Sequence, residues 1–570
     1  MTARAAVRTR RFIGLVSCAL VLSACAGIPT SGPIQQGPSV GVAENDPLFR
    51  VIPQSPQVDA TPEQLVRGFQ NATASVETGY KIAKEYLTDG AASVWDPKAG
   101  VRVTDGKTTY ALKGNVVSIQ GGLTATINAT GEYAVEAPGT QLDNISYGVT
   151  KVNGQWRIST LPSGLVLSPS DISRSYRTYD LYFFTRDFST LVPAPITVPV
   201  TSSAVATVLV QSLLQGATPW IAPAVSSAFP EGTRLLIDAV PVEADGVADV
   251  ELSPELLGAS DETRQKLSAQ LVWTLRQVPG ITGVRMTVNG QPVTVTGKGP
   301  VQPIGSWPLV DPDALSDTAK GWAVDPRGLL QLNPDGSQTV VKLKAPLTKP
   351  GVSLDSTQVA GVGADKASLW ISRLVDGATP VLRYTGTDLS RPSWDRYGDV
   401  WVVDRGRGLV LVAGDEKSVD VPIVDLPPDV TSKSLLAVSV SRDGTRIALL
   451  VKRKSKVEPL VARIERDGQT VRVAAPRRID ASLTNSTDLA WLDADTLVVL
   501  GSVAASSLEV HQLSIGYSSS PGHTLAPAGA VTLAAAPQHP ILVGAGTTVV
   551  SSSGSLWVKV TDGAFPVYPG

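Results

Sequence analysis

The sequence predicts a multidomain protein in which two α+β domains are followed by an all-β propeller. In the first half of the chain, segments with helical spacing of apolar residues alternate with short strand-like segments. From about residue 306 the helical spacing disappears, and strands rich in Val, Leu, Ile and Trp alternate with Asp-Gly, Pro-Asp and Ser-rich turns. With 43% hydrophobic residues over 570 positions, the chain can build several separate cores.

The N-terminus has the pattern of an export signal. A basic segment without acidic residues precedes an apolar run at residues 12–23. This run is too short to cross a hydrocarbon core of about 30 Å as a helix. Residues 1–24 are therefore predicted to be a signal peptide that is removed after export.

The segment Leu22-Ser23-Ala24-Cys25 resembles the lipobox of bacterial lipoproteins. The resemblance implies cleavage before Cys25 and its conversion to an N-palmitoyl, S-diacylglycerol cysteine. A lipid anchor of this kind would hold the protein on the extracytoplasmic face of the cell membrane. The other cysteine, Cys18, lies in the segment predicted to be removed, so no disulfide is expected. The alternatives are an ordinary signal peptide or a cysteine buried in a core.

Residues 25–60 are predicted to form a tether, because six prolines stand among Gly, Ser and Gln without periodicity. The alternative is a loop wrapped on the body of the protein. Fully extended at about 3.1 Å per residue, the tether would reach roughly 100 Å from the bilayer.

Residues 61–170 are predicted to form the first α+β domain. Thr61-Pro62-Glu63-Gln64 has the pattern of a capping box, and apolar residues at helical spacing then predict one helix of about seven turns to residue 87. Strands follow, including a hairpin with Asn153-Gly154 as its turn. One long helix before a curled antiparallel sheet suggests a cone-shaped domain of the nuclear-transport-factor-2 kind, with a filled core or a pocket.

Residues 176–300 are predicted to form the second α+β domain. Its pattern predicts helices that begin after Ser202-Ser203, with Gly216 as the end of the first, and after Ser260. Strands are predicted at the following positions: 181–184, 235–240, 247–252, 284–288 and 292–295.

Several segments of this second domain are similar to the GerMN domain of sporulation and germination proteins. They are L-Y-F-F at 181–184, S-L-L-Q-G-A at 212–217, D-G-V-A-D-V-E-L-S at 245–253, A-Q-L-V-W-T-L at 269–275 and M-T-V-N-G-Q-P-V at 286–293. The resemblance implies a small interaction module of envelope complexes without catalytic residues. Asp245 and Asp249 could be imagined as an acid pair, but Asp245-Gly246 is typical of a turn.

Residues 306–570 contain a loose repeat that predicts a propeller. The segments around Trp394, Val440 and Trp491 align at spacings of 46 and 51 residues, and weaker copies begin near residues 321, 362 and 533. A unit of about 40 to 50 residues built from four strands is a propeller blade. Five or six blades fit the length.

No catalytic, metal or cofactor site is predicted, so the protein is not expected to be an enzyme. His511, His523 and His539 do not have the spacing of metal ligands and are expected at the surface or in turns. The one G-x-S-x-G match, residues 37–41, lies in the predicted tether, where a nucleophile elbow cannot form. A net charge of −2 without a basic stripe argues against nucleic acid as a partner.

The order of lipobox, tether, α+β domain, GerMN domain and propeller resembles the LpqB family of actinobacterial lipoproteins along essentially the full chain. The resemblance implies an accessory role for the MtrA/MtrB two-component system, through the extracytoplasmic domain of the sensor histidine kinase MtrB, in envelope homeostasis and cell division. The alternative is a structural or ligand-binding envelope protein that contacts peptidoglycan. A propeller-type hydrolase is a minor third hypothesis.

We expect a Cys25→Ser variant to fold normally and to lose its membrane attachment, because the only thiol that can carry the lipid is gone. Fractionation of cells into membrane and soluble parts, with mass spectrometry of the N-terminus, measures the outcome. A Cys18→Ser variant is the matched control and should stay lipidated. A Cys25→Ser protein that is still processed and acylated like its parent would contradict the anchor hypothesis.

Overall fold

The computed structural model describes residues 52–570 except 76–77, 144, 200–204, 314, 317–318, 334–335, 415–417, 469, 504–505 and 517–521. Strands dominate these residues, and several separate hydrophobic cores form along the chain. The prediction of a multidomain, strand-rich protein is therefore confirmed. None of the helices in the described residues has the length and apolar character that a membrane span requires.

Residues up to 175, called the first part below, contain four helices among the described residues. The capping box predicted at the first helix is confirmed. The helices are α1 (Pro62–Thr73), α2 (Lys81–Lys84), α3 (Asp89–Val94) and α4 (Pro169–Ser175). The Thr61 side chain accepts from the backbone of Gln64, whose own side chain accepts from the backbone of Thr61. Two orphan N–H groups of the helix terminus are thus satisfied.

The prediction of a single helix of seven turns is wrong. Helix α1 ends at Thr73, and after an undescribed pair of residues the chain continues through a 3-10 turn in which Gly79 has φ +78°. The hydroxyls of Thr73 and Ser75 donate to carbonyls three residues earlier. Side chains of this kind compete with the helical backbone pattern, so helical spacing of apolar residues did not suffice to continue the helix.

Two four-stranded sheets follow in this part of the chain. Their strands are β1 (Gly100–Thr104), β2 (Thr109–Lys113), β3 (Val116–Gln120), β4 (Leu123–Asn128), β5 (Tyr133–Val135), β6 (Ser146–Val152), β7 (Gln155–Thr160) and β8 (Leu165–Leu167). The orders are β5-β4-β1-β8 and β2-β3-β6-β7, and α1 packs against strands of both. The predicted hairpin is present, with Asn153 and Gly154 both at positive φ as a type I′ turn requires.

The second part, residues 176–303, has its own hydrophobic core between its sheets and two helices. Its elements are β9 (Tyr176–Thr185), β10 (Leu191–Pro199), α5 (Val205–Gln215), β11 (Val225–Ser226), β12 (Val247–Glu251), α6 (Asp261–Leu275), β13 (Gly283–Val288), β14 (Gln291–Pro292) and β15 (Val301–Pro303). Gly216 ends α5 at φ +101°, and the Ser260 side chain caps α6, as predicted. The predicted cap at Ser202-Ser203 lies outside the described residues.

The strand predicted at 235–240 is wrong. This segment makes only an isolated bridge, from Leu235 to Leu252, and exposes Leu236 and Ile237 to solvent. The segment has the apolar composition of a strand. However, β12 pairs with β13 on one side, and the segment does not form a continuous ladder on the other side of β12. Composition favours a strand; pairing with a neighbour decides whether one forms.

Residues from 321 onward form 24 strands in the described part. They are β16 (Gly321–Asp325), β17 (Gly328–Leu332), β18 (Gln338–Val341), β19 (Thr348–Val352), β20 (Gln358–Val362), β21 (Ser368–Arg373), β22 (Val381–Thr385), β23 (Ser393–Trp394), β24 (Val400–Asp404), β25 (Gly408–Val412), β26 (Ser418–Asp420), β27 (Leu435–Val440), β28 (Arg446–Arg453), β29 (Lys456–Asp467), β30 (Thr470–Arg478), β31 (Leu483–Trp491), β32 (Thr496–Val503), β33 (Glu509–Ser514), β34 (Gly522–Leu525), β35 (Ala530–Ala534), β36 (Leu542–Ala545), β37 (Thr548–Ser553), β38 (Leu556–Asp562) and β39 (Ala564–Val567).

Antiparallel pairing divides these strands into six blades of four. Blade 1 has the order β39-β16-β17-β18, so the last strand of the chain completes the first blade, and blades 2 to 6 take the next strands in fours. Blades 4 and 5 join through one bridge between β29 and β31. The first strand of each blade contacts the first strand of the next, and β35 contacts β39 to close the ring. This is the arrangement of a β-propeller.

The three strongest repeat copies mark corresponding positions in blades 3, 4 and 5. Trp394, Val440 and Trp491 each end the first strand of their blade. The Trp394 indole donates to the carbonyl of Gly351 in blade 2 at 2.8 Å, and Trp491 donates to Ser439 in blade 4 at 3.0 Å. Each buried indole thus joins its blade to the preceding one.

We expect deletion of residues 564–570 to destabilise the ring strongly, because β16 loses its neighbour and buried Val567 and Tyr568 are removed. Limited proteolysis and thermal unfolding measure the loss. Lys559→Ala, on the exposed outer strand β38, is the control and should change stability by about 0.5 kcal/mol or less. A truncated chain as resistant to protease as its parent would contradict closure by β39.

Candidate functional site

The predicted site residue, Cys25, lies outside the described residues. Its lipidation therefore stays a prediction. Within the described residues the most unusual feature is a set of buried arginines at the propeller axis and at the contact with the second domain. We call that contact the joint; its central residues are Arg446, Asp443 and Pro193.

Two arginines close the propeller axis. Arg442, in the turn between β27 and β28, donates to the carbonyls of Trp491, Ala535 and Pro569 at 3.3, 3.1 and 3.3 Å. Burial lowers the pKa of Arg442, and nearby Asp313 and Asp493 counteract this. Since three backbone carbonyls from different blades converge on one guanidinium, the group holds the ring together from inside.

Arg391 precedes β23 and also reaches the axis. It donates to Leu533 and Leu489 carbonyls at 2.9 and 3.2 Å and pairs with Asp488 at 3.1 Å. Burial raises the pKa of Asp488, and Arg391 opposes that rise. The cavity between these groups measures about 40 Å³, which is room for water and not for a substrate.

The joint contains a fully buried ion pair. Arg446 and Asp443 are both 0% exposed, and the Arg446 Nη2 lies 2.5 Å from Oδ2 of Asp443. Asp443 also accepts from Ser441 and Thr445, while Nη1 of Arg446 donates to the carbonyl of Pro193 in β10 at 3.2 Å. Burial alone would raise the pKa of Asp443, but Arg446 and the Thr445 hydrogen bonds outweigh it and lower the pKa.

Trp220 inserts its ring beside blade 4. Its indole donates to the carbonyl of Ala475 at 2.8 Å, and its own carbonyl accepts from Arg463 at 3.0 Å. The guanidinium of Arg477 lies over the Trp220 ring at 3.8 Å and pairs with Glu132 of the first part at 2.8 Å. Burial lowers the pKa of Arg477 to about 10, and Glu132 counteracts. Arg477 therefore contacts all three parts of the chain.

Two glycines allow the backbones to meet at this place. The amide of Thr197 donates to Gly131 at 2.7 Å, and its hydroxyl donates to the carbonyl of Gly516 at 3.0 Å. Gly131 and Gly516 have φ of +82° and +97°. A Cβ on Gly516 would lie 2.9 Å from the side chain of Pro195. At Gly131 an added Cβ would lie 3.1 Å from Cβ of Ile196. Positive φ also favours glycine at both positions.

The histidines take positions that differ in part from the expectation. His511 is 6% exposed and stacks on His523, its partner across β33 and β34, at 5.7 Å between ring centroids. The expectation of a surface position is wrong for His511, because its side chain is buried and packs on His523 of the neighbouring strand. Burial lowers the pKa of His511. Among the described residues no group of three or more His, Cys, Asp and Glu could hold a metal ion.

Asp245 and Asp249, considered above as an acid pair, each accept a hydrogen bond that stabilises the local fold. Asp245 accepts from the Val247 amide in its turn, and Asp249 accepts from Thr287. Sequence reasoning missed Arg391, Arg442 and Arg446, although Arg442 and Arg446 follow Val440, one of the repeat positions, by two and six residues. A charged residue beside a predicted turn normally lies in solvent, so only the contacts reveal its role.

Three family models match the chain in sequence order. They are the N-terminal domain of lipoprotein LpqB over residues 55–173, a sporulation and spore germination domain over 180–294 and the β-propeller domain of lipoprotein LpqB over 329–569. These matches and the fold define the class: a propeller-bearing lipoprotein.

Full-length relatives carry the same assignment. Lipoprotein LpqB of Thermobifida fusca is 31% identical, covering 97% of this chain and 97% of the relative. Lipoprotein LpqB of Streptomyces coelicolor is 30% identical over 97% of this chain and 96% of the relative. The chain therefore belongs to the LpqB lipoprotein family.

Solved structures give weaker likenesses. TolB from Acinetobacter baumannii covers 53% of this chain and 85% of its own at 12% identity, with a TM-score of 0.34. The first GerMN domain of GerM from Bacillus subtilis covers 22% of this chain and 92% of its own at 23% identity, with a TM-score of 0.18. Scores this low add nothing to the family assignment.

We expect Arg446→Ala to lower the free energy of unfolding by about 3–5 kcal/mol, because Asp443 is left buried without its cation. Urea denaturation followed by tryptophan fluorescence measures the loss. Arg472→Ala is the matched control, since its side chain is 54% exposed beside Glu465, and it should cost about 1 kcal/mol or less. Equal losses in the two variants would contradict the importance of the buried pair.

Proposed function

We propose that the chain is a lipoprotein anchored through Cys25 on the extracytoplasmic face of the membrane, where it acts as an accessory regulator of an MtrB-like sensor histidine kinase. The single observation that carries the proposal is the joint. It combines three parts of the chain into one body, and its charged groups are used for holding the parts together. Membership of the LpqB lipoprotein family and the lipobox support the anchored placement.

The geometry of the propeller axis favours a binding protein over an enzyme. The axis, where propeller enzymes could place a substrate, is closed by Arg391 and Arg442 around about 40 Å³. The hydrogen bonds that join the first two parts to the propeller, within the described residues, involve only blades 4 and 5. Much of the propeller surface is thereby left for a partner.

We call one such surface the open face. It consists of the turns between the second and third strands of the blades, which antiparallel pairing places at the end of the inner strands opposite to the joint. In the described residues these include 326–327, 363–367, 405–407, 454–455 and 546–547. The open face bears exposed Lys366 and Lys454, and charged groups at a rim steer the encounter with a partner of complementary charge.

The test is photo-crosslinking in intact membranes. A crosslinking amino acid at Lys366 or Lys454 should capture the sensor domain of the kinase, whereas the same group at Lys98, exposed on the first part, should capture less. Deletion of the protein should also change phosphorylation of the kinase's response regulator. No captured kinase from either site, together with unchanged phosphorylation in the deletion strain, would contradict the proposal. Sedimentation with isolated wall material in place of kinase capture would favour the peptidoglycan alternative.

A further inference from the structure

Five carboxyl groups meet where the second part packs on blades 4 and 5. Asp180 belongs to β9, Asp313 to the connection before the propeller, and Asp443 to the turn before β28. Asp493 and Asp495 lie in the corresponding turn before β32. These groups are close enough to interact: Asp493 acts on Asp180, Asp313 and Asp495, and Asp180 acts on Asp495.

Two guanidiniums, those of Arg442 and Arg446, act on these carboxyls, and each also has other partners. Arg446 pairs with Asp443 and donates to the Pro193 carbonyl, while Arg442 donates to three backbone carbonyls. We call the other four acids the crevice acids; they are half-buried, and none of them has an ion pair within 4 Å among the described residues. An ionised carboxylate in such surroundings is strongly disfavoured, and the usual remedy is to bind a proton.

Hydrogen bonding distinguishes the members of the cluster. Oδ1 of Asp180 and Oδ1 of Asp313 are enclosed and accept no hydrogen bond. Asp493, by contrast, accepts hydrogen bonds from the backbone amides of Asp495 and Thr496 at 3.1 and 2.7 Å. Asp180 and Asp313, each with an enclosed oxygen that lacks a partner, are therefore suited to carry protons.

We propose that the joint is a pH-sensitive contact, closed when the crevice acids carry protons and loosened when they release them. The groups that face the cluster from every packed element are Arg276, Asp311, Arg442, Asp443, Arg446 and Tyr182. The two arginines moderate the repulsion and do not remove it. This device does not depend on a kinase partner or on the lipid.

The direction in which pH changes the stability of the joint follows from the raised pKa values of its acids. Burial, with Asp493 adding to it, raises the pKa of Asp313 to about 7. Burial raises the pKa of Asp180 and of Asp495 as well, and their mutual repulsion and Asp493 contribute, while Arg446 opposes. A carboxyl whose folded pKa is above its unfolded value contributes stability fully below about pH 4, and that stability is lost as the pH rises through about 7.

The test uses the mature chain carrying Cys25→Ser, followed by hydrogen exchange at β9 and at the turn before β32 between pH 5.5 and 8.5. After correction for intrinsic exchange, protection should fall by up to about tenfold per pH unit for each proton released as the pH rises from 5.5 to about 7, and it should level off once Asp313 has lost its proton. Infrared spectroscopy should show the carbonyl stretch of protonated acids at pH 5.5, and this band should weaken as the pH rises through about 7.

The variant Asp180→Asn/Asp495→Asn should abolish most of this pH dependence, because an amide keeps the shape without the charge. Asp313→Asn alone is the second variant and should reduce it. Asp238→Asn, exposed in the second part, is the control and should leave the profile as in the parent. Protection that does not change with pH, no acid band in the infrared spectrum, or the same profile in the Asn variants would each overturn the proposal.

Discussion

The ion pair between Arg446 and Asp443 is the interaction on which the arrangement of the domains depends. A buried charge is tolerated only when every partner is in place. Asp443 meets this demand within its own turn, whereas Arg446 needs the carbonyl of Pro193, which belongs to another part of the chain. Nη1 of Arg446 therefore has its hydrogen-bond partner only when the second part is docked.

The surrounding contacts extend this dependence to the whole body. Arg477 lies on Trp220 and pairs with Glu132, and Thr197 donates to both Gly131 and Gly516. One small region thus joins all three parts. The charged groups of this region hold the three parts together.

Sequence reasoning succeeded where a structure is set by nearby residues. The capping box at Thr61, the turn at Asn153-Gly154 and the repeat positions Trp394 and Trp491 follow from local rules of capping, turn geometry and strand period. It failed for the long helix, where Thr and Ser hydroxyls competed with the backbone. It also failed at 235–240, where pairing with a neighbour was decisive.

The joint could not be predicted for a different reason. Arg446 and Pro193 are 253 residues apart in sequence, and no periodicity relates a cation in one domain to a carbonyl in another. The family resemblance indicated the modules and their order, and contacts in three dimensions were needed to show how the modules hold each other. Cys25, the one site residue that the sequence predicted, lies outside the described residues.

The claim that the three parts act as one body can be measured by pulsed electron spin resonance between labels on the first part and on the propeller. Engineered cysteines at Lys98 and Lys366 suit this experiment, since the predicted modification of Cys25 leaves no other thiol in the mature chain. A single narrow distance distribution on the membrane is expected, and Arg446→Ala should broaden it. A broad distribution in the parent protein would contradict the account.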